Sequence, residues 1–144
     1  MKDRVAVMHG VNLDMLERRP SDVYGELSFP QLERQIGKFA QELGLETRFF
    51  QSNFEGEFVE ELHRAADYAD ALLLNPGAWT HYAWALRDAV EIAGLPAVEV
   101  HLSDIAAREQ WRHLSVLEGV VVAQVKGQGV DGYRTALEKL KEAL

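Results

Sequence analysis

In the run Pro96-Ala97-Val98-Glu99-Val100-His101, a carboxylate and an imidazole stand two residues apart in an otherwise apolar segment. In a β-strand, side chains alternate between faces, so Glu99 and His101 lie side by side. A carboxylate among apolar neighbours is costly unless paired, and the imidazole satisfies it. Such a pair favours the imidazolium and orients the ring, as a general acid that protonates a leaving hydroxyl requires. The bland alternative is a structural histidine that merely holds Glu99; its place at a strand's carboxyl end favours catalysis. Tyr24 is a candidate of a different kind. A tyrosine acts as a base only when its pKa falls from about 10 toward neutrality, and guanidinium groups achieve this by stabilising phenolate. Arg18 and Arg19 are the nearest such groups, although a loop tyrosine is more often a packing residue. His81 and Asp88, seven residues apart, are expected on one side of a helix. A metal site from His81, His101 and a carboxylate lacks any HxxxH or HExxH spacing, so no metal is expected. His63 reads as part of a solvated helix face, and His113 is ambiguous. Arg108 and Arg112, four apart, would form a two-pronged cationic face if their segment is helical.

The elements that must carry these residues can be read from periodicity. Short β-rich runs span Arg4 to Met8, Thr47 to Gln51, Ala71 to Leu74, Ala97 to Val100 and Val120 to Val125. Most are continuously apolar, as strands covered on both faces should be. Between them, Leu32, Ile36, Phe39, Ala40 and Leu43 recur at helical spacing, started by a Ser28/Gln31 capping box and stopped by Gly44. Phe58, Leu62, Ala65 and Ala69 form a second stripe; Leu86, Val90 and Ala93 a third; Tyr133, Leu137, Leu140 and Leu144 the last. Strand then helix, repeated along the chain, predicts a doubly wound α/β domain of three αβα layers, with a five-stranded parallel sheet in flavodoxin-like order. From His9 to Leu27 no period holds, and that stretch reads equally as a surface loop or as a lid.

Ligands of such sheets bind beyond the carboxyl ends of the strands. Here those ends are His9-Gly10-Val11-Asn12, Gln51-Ser52-Asn53, Asn75-Pro76-Gly77, His101-Leu102-Ser103-Asp104 and Lys126-Gly127-Gln128-Gly129. Amides, imidazole, hydroxyl and glycines converging on one edge suit a small polar ligand. The chain has 144 residues, 47% hydrophobic and 26% charged, which fits one domain with a real core. Its net charge of −8 argues against nucleic acid and anionic membranes as partners. No segment reads as a signal peptide or a membrane span, and the absence of cysteine excludes thiolate chemistry and suits a cytoplasmic location.

The set His9-Gly10-Val11-Asn12-Leu13, Arg19, Tyr24-Gly25, Gln51-Ser52-Asn53, Asn75-Pro76, Thr80-His81, Asp88, Val98 to Ser103, Arg108-Glu109, Arg112-His113 and Gly127 to Tyr133 resembles the type II 3-dehydroquinate dehydratase family, in order and over nearly the whole chain. The resemblance implies one domain over 1–144 with an active-site lid at about 13–27. It implies a cofactor-free, metal-free lyase that dehydrates 3-dehydroquinate to 3-dehydroshikimate through an enolate by anti elimination, in the shikimate pathway or in quinate catabolism. By that likeness Tyr24, activated by Arg19, takes the C2 proton. Asn12 holds a water at the enolate oxygen, and His101, oriented by Glu99, protonates the departing hydroxyl. Asn75, Ser103 and the amide of Leu102 receive the substrate carboxylate; His81, Arg112 and Asp88 receive ring hydroxyls. The family's dodecamer, built of trimers, implies a homo-oligomer in which Asp88 serves a neighbouring subunit.

The sequence departs from the family at His9 (usually asparagine), Val11 (usually proline), Glu17 (usually glycine) and Asp104 (usually asparagine). Asp104 is expected to put a negative charge beside the carboxylate site unless Arg108 neutralises it. An inactive homologue that binds a cyclic polyhydroxy acid is the main rival, with the departures at His9, Val11 and Asp104 as its support. A phosphoryl receiver is disfavoured because Asn75 stands where its aspartate belongs, and a flavin carrier because the phosphate loop is missing.

Overall fold

The computed structural model describes residues 1–144. Its five strands are β1 (Arg4–His9), β2 (Glu46–Gln51), β3 (Ala71–Asn75), β4 (Ala97–His101) and β5 (Ala123–Lys126). All neighbours are parallel, in the order β2-β1-β3-β4-β5. The helices are α1 (Ser21–Tyr24), α2 (Phe29–Glu42), α3 (Glu55–Ala65), α4 (Trp84–Ala93) and α5 (Asp131–Ala143). The flavodoxin-like α/β architecture expected from the sequence is the one observed.

Local chemistry accounts for the elements. At the start of α2 the Ser28 hydroxyl accepts from Gln31 N–H at 3.3 Å, and the Gln31 carboxamide accepts from Ser28 N–H at 2.9 Å, satisfying two donors that a helix end leaves free. The α2 stripe of Leu32, Ile36, Phe39 and Ala40 and the α5 stripe of Tyr133, Leu137 and Leu140 cover one sheet face, against Val5, Val7, Leu73, Val98 and Val100. Phe58 and Leu62 of α3, with Leu86 and Val90 of α4, cover the other against Ala6, Met8, Leu72 and Leu74. Strands β1, β3 and β4 are therefore buried on both sides and read as apolar runs, whereas β2, at an edge, alternates in exposure.

The structure corrects the sequence expectations in four places. Several strands run one residue further than their apolar runs, so that His9, Asn75 and His101 end β1, β3 and β4 in register with their neighbours. Strand β5 starts at Ala123 rather than Val120: Val120 and Val121 lie in a turn, partly buried against the α3 and α4 side of the core, and only Val122, whose N–H donates to the Ala97 carbonyl, is exposed. No helix follows β4: two 3-10 turns, Ile105–Ala107 and Gln110–Arg112, lead to β5. Arg108 lies between them in extended conformation, so Arg108 and Arg112 do not share a helical face. The aperiodic stretch after β1 is also partly ordered, as the 3-10 helix Leu13–Arg18 and the single turn α1.

Chain direction across the sheet reverses between β1 and β3, which opens a crevice at their carboxyl ends. The two ends approach closely. A Cβ on Gly10 would stand 2.3 Å from the Pro76 carbonyl oxygen, and one on Gly77, at φ 67°, would stand 2.6 Å from that of Val11. Only glycine fits either position.

Candidate active site

A cavity of about 270 Å³ opens at this crevice. Its walls come from the residues after β1 (Asn12, Leu13, Leu16), the α1 segment (Arg19, Tyr24), the end of β3 (Asn75, Gly77, His81) and the stretch beyond β4 (His101 to Ser103, Arg108, Trp111, Arg112). Of the site residues expected from the sequence, all line this cavity except Glu99, which stands behind His101, and Asp88. Asp88 is exposed on α4. It shares no helix with His81, which ends a separate 3-10 turn, Gly77–His81, so the expected common helix face does not exist.

Glu99 and His101 alternate onto one face of β4 as expected, and His101 Nε2 donates to Glu99 Oε2 at 2.5 Å. The same oxygen accepts from Thr80 Oγ1 at 2.7 Å; Oε1 accepts from Ser115 Oγ at 2.7 Å and Gln124 Nε2 at 3.2 Å. Burial pushes the Glu99 carboxyl up, but the hydrogen bond and charge of His101, with the hydroxyls of Thr80 and Ser115, outweigh it and hold the group below the usual carboxylate range. The carboxylate is thus ionised and saturated with donors. With Nε2 occupied, Nδ1 is the His101 nitrogen left for the cavity.

Tyr24 receives two guanidinium donors. Arg19 Nη2 donates to its hydroxyl oxygen and Arg108 Nη1 donates to the same oxygen at 2.7 Å. The Arg19 guanidinium carbon also lies 4.1 Å from the Tyr24 ring centroid. Arg108 further donates to Ser103 Oγ at 3.4 Å, tying the α1 segment to the end of β4. Two donors of fixed positive charge thus converge on one phenol oxygen.

His81 Nδ1 donates to the Leu114 carbonyl at 2.8 Å, which leaves Nε2 as an acceptor toward the cavity. Burial lowers the His81 pKa, against the Leu114 carbonyl, which raises it; the charges of His101 and Arg112 add to the lowering. The Trp111 ring meets His81 edge-on at 5.3 Å. Arg112 Nε is held by Glu109 Oε2 at 2.5 Å, fixing the guanidinium at the cavity rim. Asn12 adopts the left-handed conformation, φ 69°, with its N–H donated to Asn53 Oδ1 at 2.8 Å; Asn53 Nδ2 in turn donates to Asp14 Oδ2 at 3.1 Å.

Three arginines and no carboxylate line the cavity of a chain whose net charge is −8. The arrangement suits a small anion, with a phenol and an imidazole able to move protons around it. Asp104 does not disturb it. Its Oδ1 accepts from Ala106 N–H at 3.1 Å, capping the 3-10 turn, on the exposed side and outside the cavity lining. Arg108 does not neutralise it, because that side chain turns to Tyr24 and Ser103 instead.

Sequence reasoning missed Arg108 as a partner of Tyr24, 84 residues away, and the Thr80, Ser115 and Gln124 donors to Glu99. Only Gln124 carried a usable signal, since pairing β4 with β5 sets it opposite Glu99.

The family model described as dehydroquinase class II matches residues 3–141. A 3-dehydroquinate dehydratase of Caldicellulosiruptor bescii is 44% identical over 98% of both chains, and one of Pelotomaculum thermopropionicum 48% identical over 93% of both. Among solved structures, the type II dehydroquinase of Propionibacterium acnes superposes with a TM-score of 0.92 at 37% identity, covering 99% of this chain and 98% of its own.

Proposed function

The chain belongs to the class II dehydroquinase family, and from that premise we propose that it dehydrates 3-dehydroquinate to 3-dehydroshikimate by a stepwise anti elimination. Tyr24, as phenolate between Arg19 and Arg108, takes a proton from C2. The C–H electron pair moves into an enolate whose oxygen is stabilised through a water held by Asn12. The pair then returns to form the C1–C2 double bond, and the C1–O bond breaks. His101 supplies the proton from Nδ1, so the hydroxyl leaves as water, while Glu99 balances the imidazolium. Solvent takes the proton from Tyr24 and returns one to His101. Asn75, Ser103 and the Leu102 amide receive the carboxylate; the His81 Nε2 acceptor and Arg112 receive ring hydroxyls. No step calls for a metal or a cofactor.

The observation that carries this reading is the cavity itself: a phenol oxygen bonded to two guanidiniums and an imidazole backed by a buried carboxylate, in one acid-free pocket. Residues 13–27 act as a lid that carries both Arg19 and Tyr24, so closure assembles the base over the substrate. The whole chain, 1–144, works as one domain. The protein forms a homo-oligomer, a dodecamer by the family's habit, in which Asp88 completes a neighbour's site. Trp84, Asp88 and Ile92 recur at four-residue spacing on α4, and Trp84 and Ile92 are 56% and 68% exposed, an apolar stripe suited to burial against a second copy. The setting is cytoplasmic, and the reaction serves either aromatic biosynthesis or quinate breakdown.

The test is incubation of the purified protein with 3-dehydroquinate while the absorbance of the conjugated enone is monitored. A rise proportional to enzyme supports the lyase reading. No rise at high enzyme concentration overturns it and leaves the inactive, ligand-binding homologue.

A further inference from the structure

Asn75 is held at both ends of its carboxamide. Its Oδ1 accepts from Gly77 N–H at 3.2 Å and its Nδ2 donates to the Tyr133 hydroxyl oxygen at 2.9 Å. Tyr133, on the first turn of α5, and His9, the last residue of β1, are both fully buried, and the Tyr133 hydroxyl lies 2.8 Å from His9 Nε2. These contacts have only one consistent arrangement of protons. Burial brings the His9 pKa down to about 3, so its ring is neutral and carries a single N–H. Burial also raises the Tyr133 pKa, against the Asn75 hydrogen bond that lowers it, so the phenol keeps its proton. The Tyr133 oxygen already accepts from Asn75, and its one proton must therefore go to His9 Nε2. The proton of His9 then sits on Nδ1, which has no hydrogen-bond partner and lies in a ring packed at 84° to Phe29.

The direction of this relay constrains the cavity. The Gly77 N–H sets the orientation of the amide, because a turned-over Asn75 could still take the Tyr133 proton through its carbonyl if His9 moved its own proton to Nε2. The same turn would set its amide nitrogen against the N–H of Gly77. The Gly77 end therefore rejects the flipped amide, the Tyr133 oxygen anchors Nδ2 from the other side, and the second Nδ2 hydrogen stays free for a ligand.

We propose that His9 and Tyr133 are positioning residues for the reaction: they lock the Asn75 carboxamide so that an N–H donor is offered to the substrate's carboxylate. The proposal rests on the reading of Asn75 as a carboxylate-binding residue. It gives His9, a departure from the family's usual asparagine, a defined task in this chain.

Tyr133→Phe tests it, because the ring that packs against α2 and the sheet remains and only the oxygen is lost. The expected result is a rise in KM for 3-dehydroquinate of roughly three- to tenfold, the worth of one buried hydrogen bond, with kcat nearly unchanged. Asn75→Ala, measured alongside, separates the two levels. A raised KM in Asn75→Ala with an unchanged KM in Tyr133→Phe overturns the positioning role alone. An unchanged KM in both removes Asn75 from carboxylate binding and the relay's purpose with it. Nitrogen-15 spectra of the wild-type protein give a readout independent of how the variants fold. At neutral pH, His9 is expected to carry its proton on Nδ1 and to present a bare Nε2; a proton on Nε2 overturns the relay's direction.

Discussion

Replacing Glu99 with glutamine removes a charge while keeping the shape, and the donors around the group decide the outcome. The wild-type carboxylate accepts from four of them, His101 and Thr80 on one oxygen, Ser115 and Gln124 on the other. Glutamine has one oxygen and can accept on one side only. If its oxygen faces Ser115 and Gln124, its amide N–H meets His101 Nε2, which must then be unprotonated, with the ring's proton on Nδ1 and no charge. A neutral imidazole is a far weaker acid than an imidazolium, so protonation of the leaving hydroxyl is lost. General acid catalysis contributes about 10²- to 10⁴-fold, and kcat should fall by that factor, about 2.7–5.5 kcal/mol in the barrier. Folding stability should fall less, by about 1–3 kcal/mol, since charge-assisted hydrogen bonds become neutral ones while the cavity stays filled. Its pH dependence has a definite sign. The folded-state pKa of Glu99 is held below its ordinary value, so the wild type gains stability from this group above the ordinary carboxyl range and loses it as pH falls through the folded value. The variant cannot titrate there, and the stability gap between the two proteins should narrow as acid is added in chemical denaturation. Enone formation reports elimination, and hydrogen exchange at C2 in deuterium oxide reports the Tyr24 step, which should persist. A kcat within about tenfold of wild type would sink the argument that Glu99 sustains the acid.

Tyr24→Phe should do the converse, abolishing C2 exchange and turnover together while leaving substrate affinity near normal; near-normal turnover removes Tyr24 as the base. Asn53→Asp sets a carboxylate against Asp14, where an amide N–H now donates at 3.1 Å, and should cost about 1–3 kcal/mol of stability and loosen Asn12. Adding Asp14→Asn restores a donor–acceptor pair with the roles exchanged, so kcat should recover in the double variant; no recovery means that the link does not position Asn12. Trp84→Asp places a charge in the exposed α4 stripe beside Asp88 and should yield smaller particles by light scattering with reduced activity; a fully active assembly of wild-type size contradicts the shared site.

What the sequence made legible depended on distance along the chain. The Glu99–His101 pair was readable because strand alternation is a two-residue rule, and α2 because its capping box and its stripe are local to one short segment. Proximity offered Arg18 and Arg19 alike as partners of Tyr24, and only the family resemblance singled out Arg19. Arg108 was not readable, because what brings it to Tyr24 is the extended conformation between two 3-10 turns, a feature with no periodic signature. Spacing there left a helical face conditional and offered Asp104 as a partner, which Arg108 does not meet. The four-donor shell of Glu99 lay in between: Gln124 is placed by parallel pairing of β4 with β5, whereas Thr80 and Ser115 come from irregular segments on either side. The Asn75–Tyr133–His9 relay joins β3, α5 and β1, so it exists only because the sheet order puts β1 beside β3 and α5, packed over β3, β4 and β5, brings Tyr133 to their ends. The reversal that opens the cavity also sets the closing residues of β1 and β3 side by side, where the last residue of one strand can fix the amide on the next. Site and scaffold are therefore not separable here. A change at His9, buried and outside the cavity lining, is expected to appear first as a change in how the cavity receives an anion.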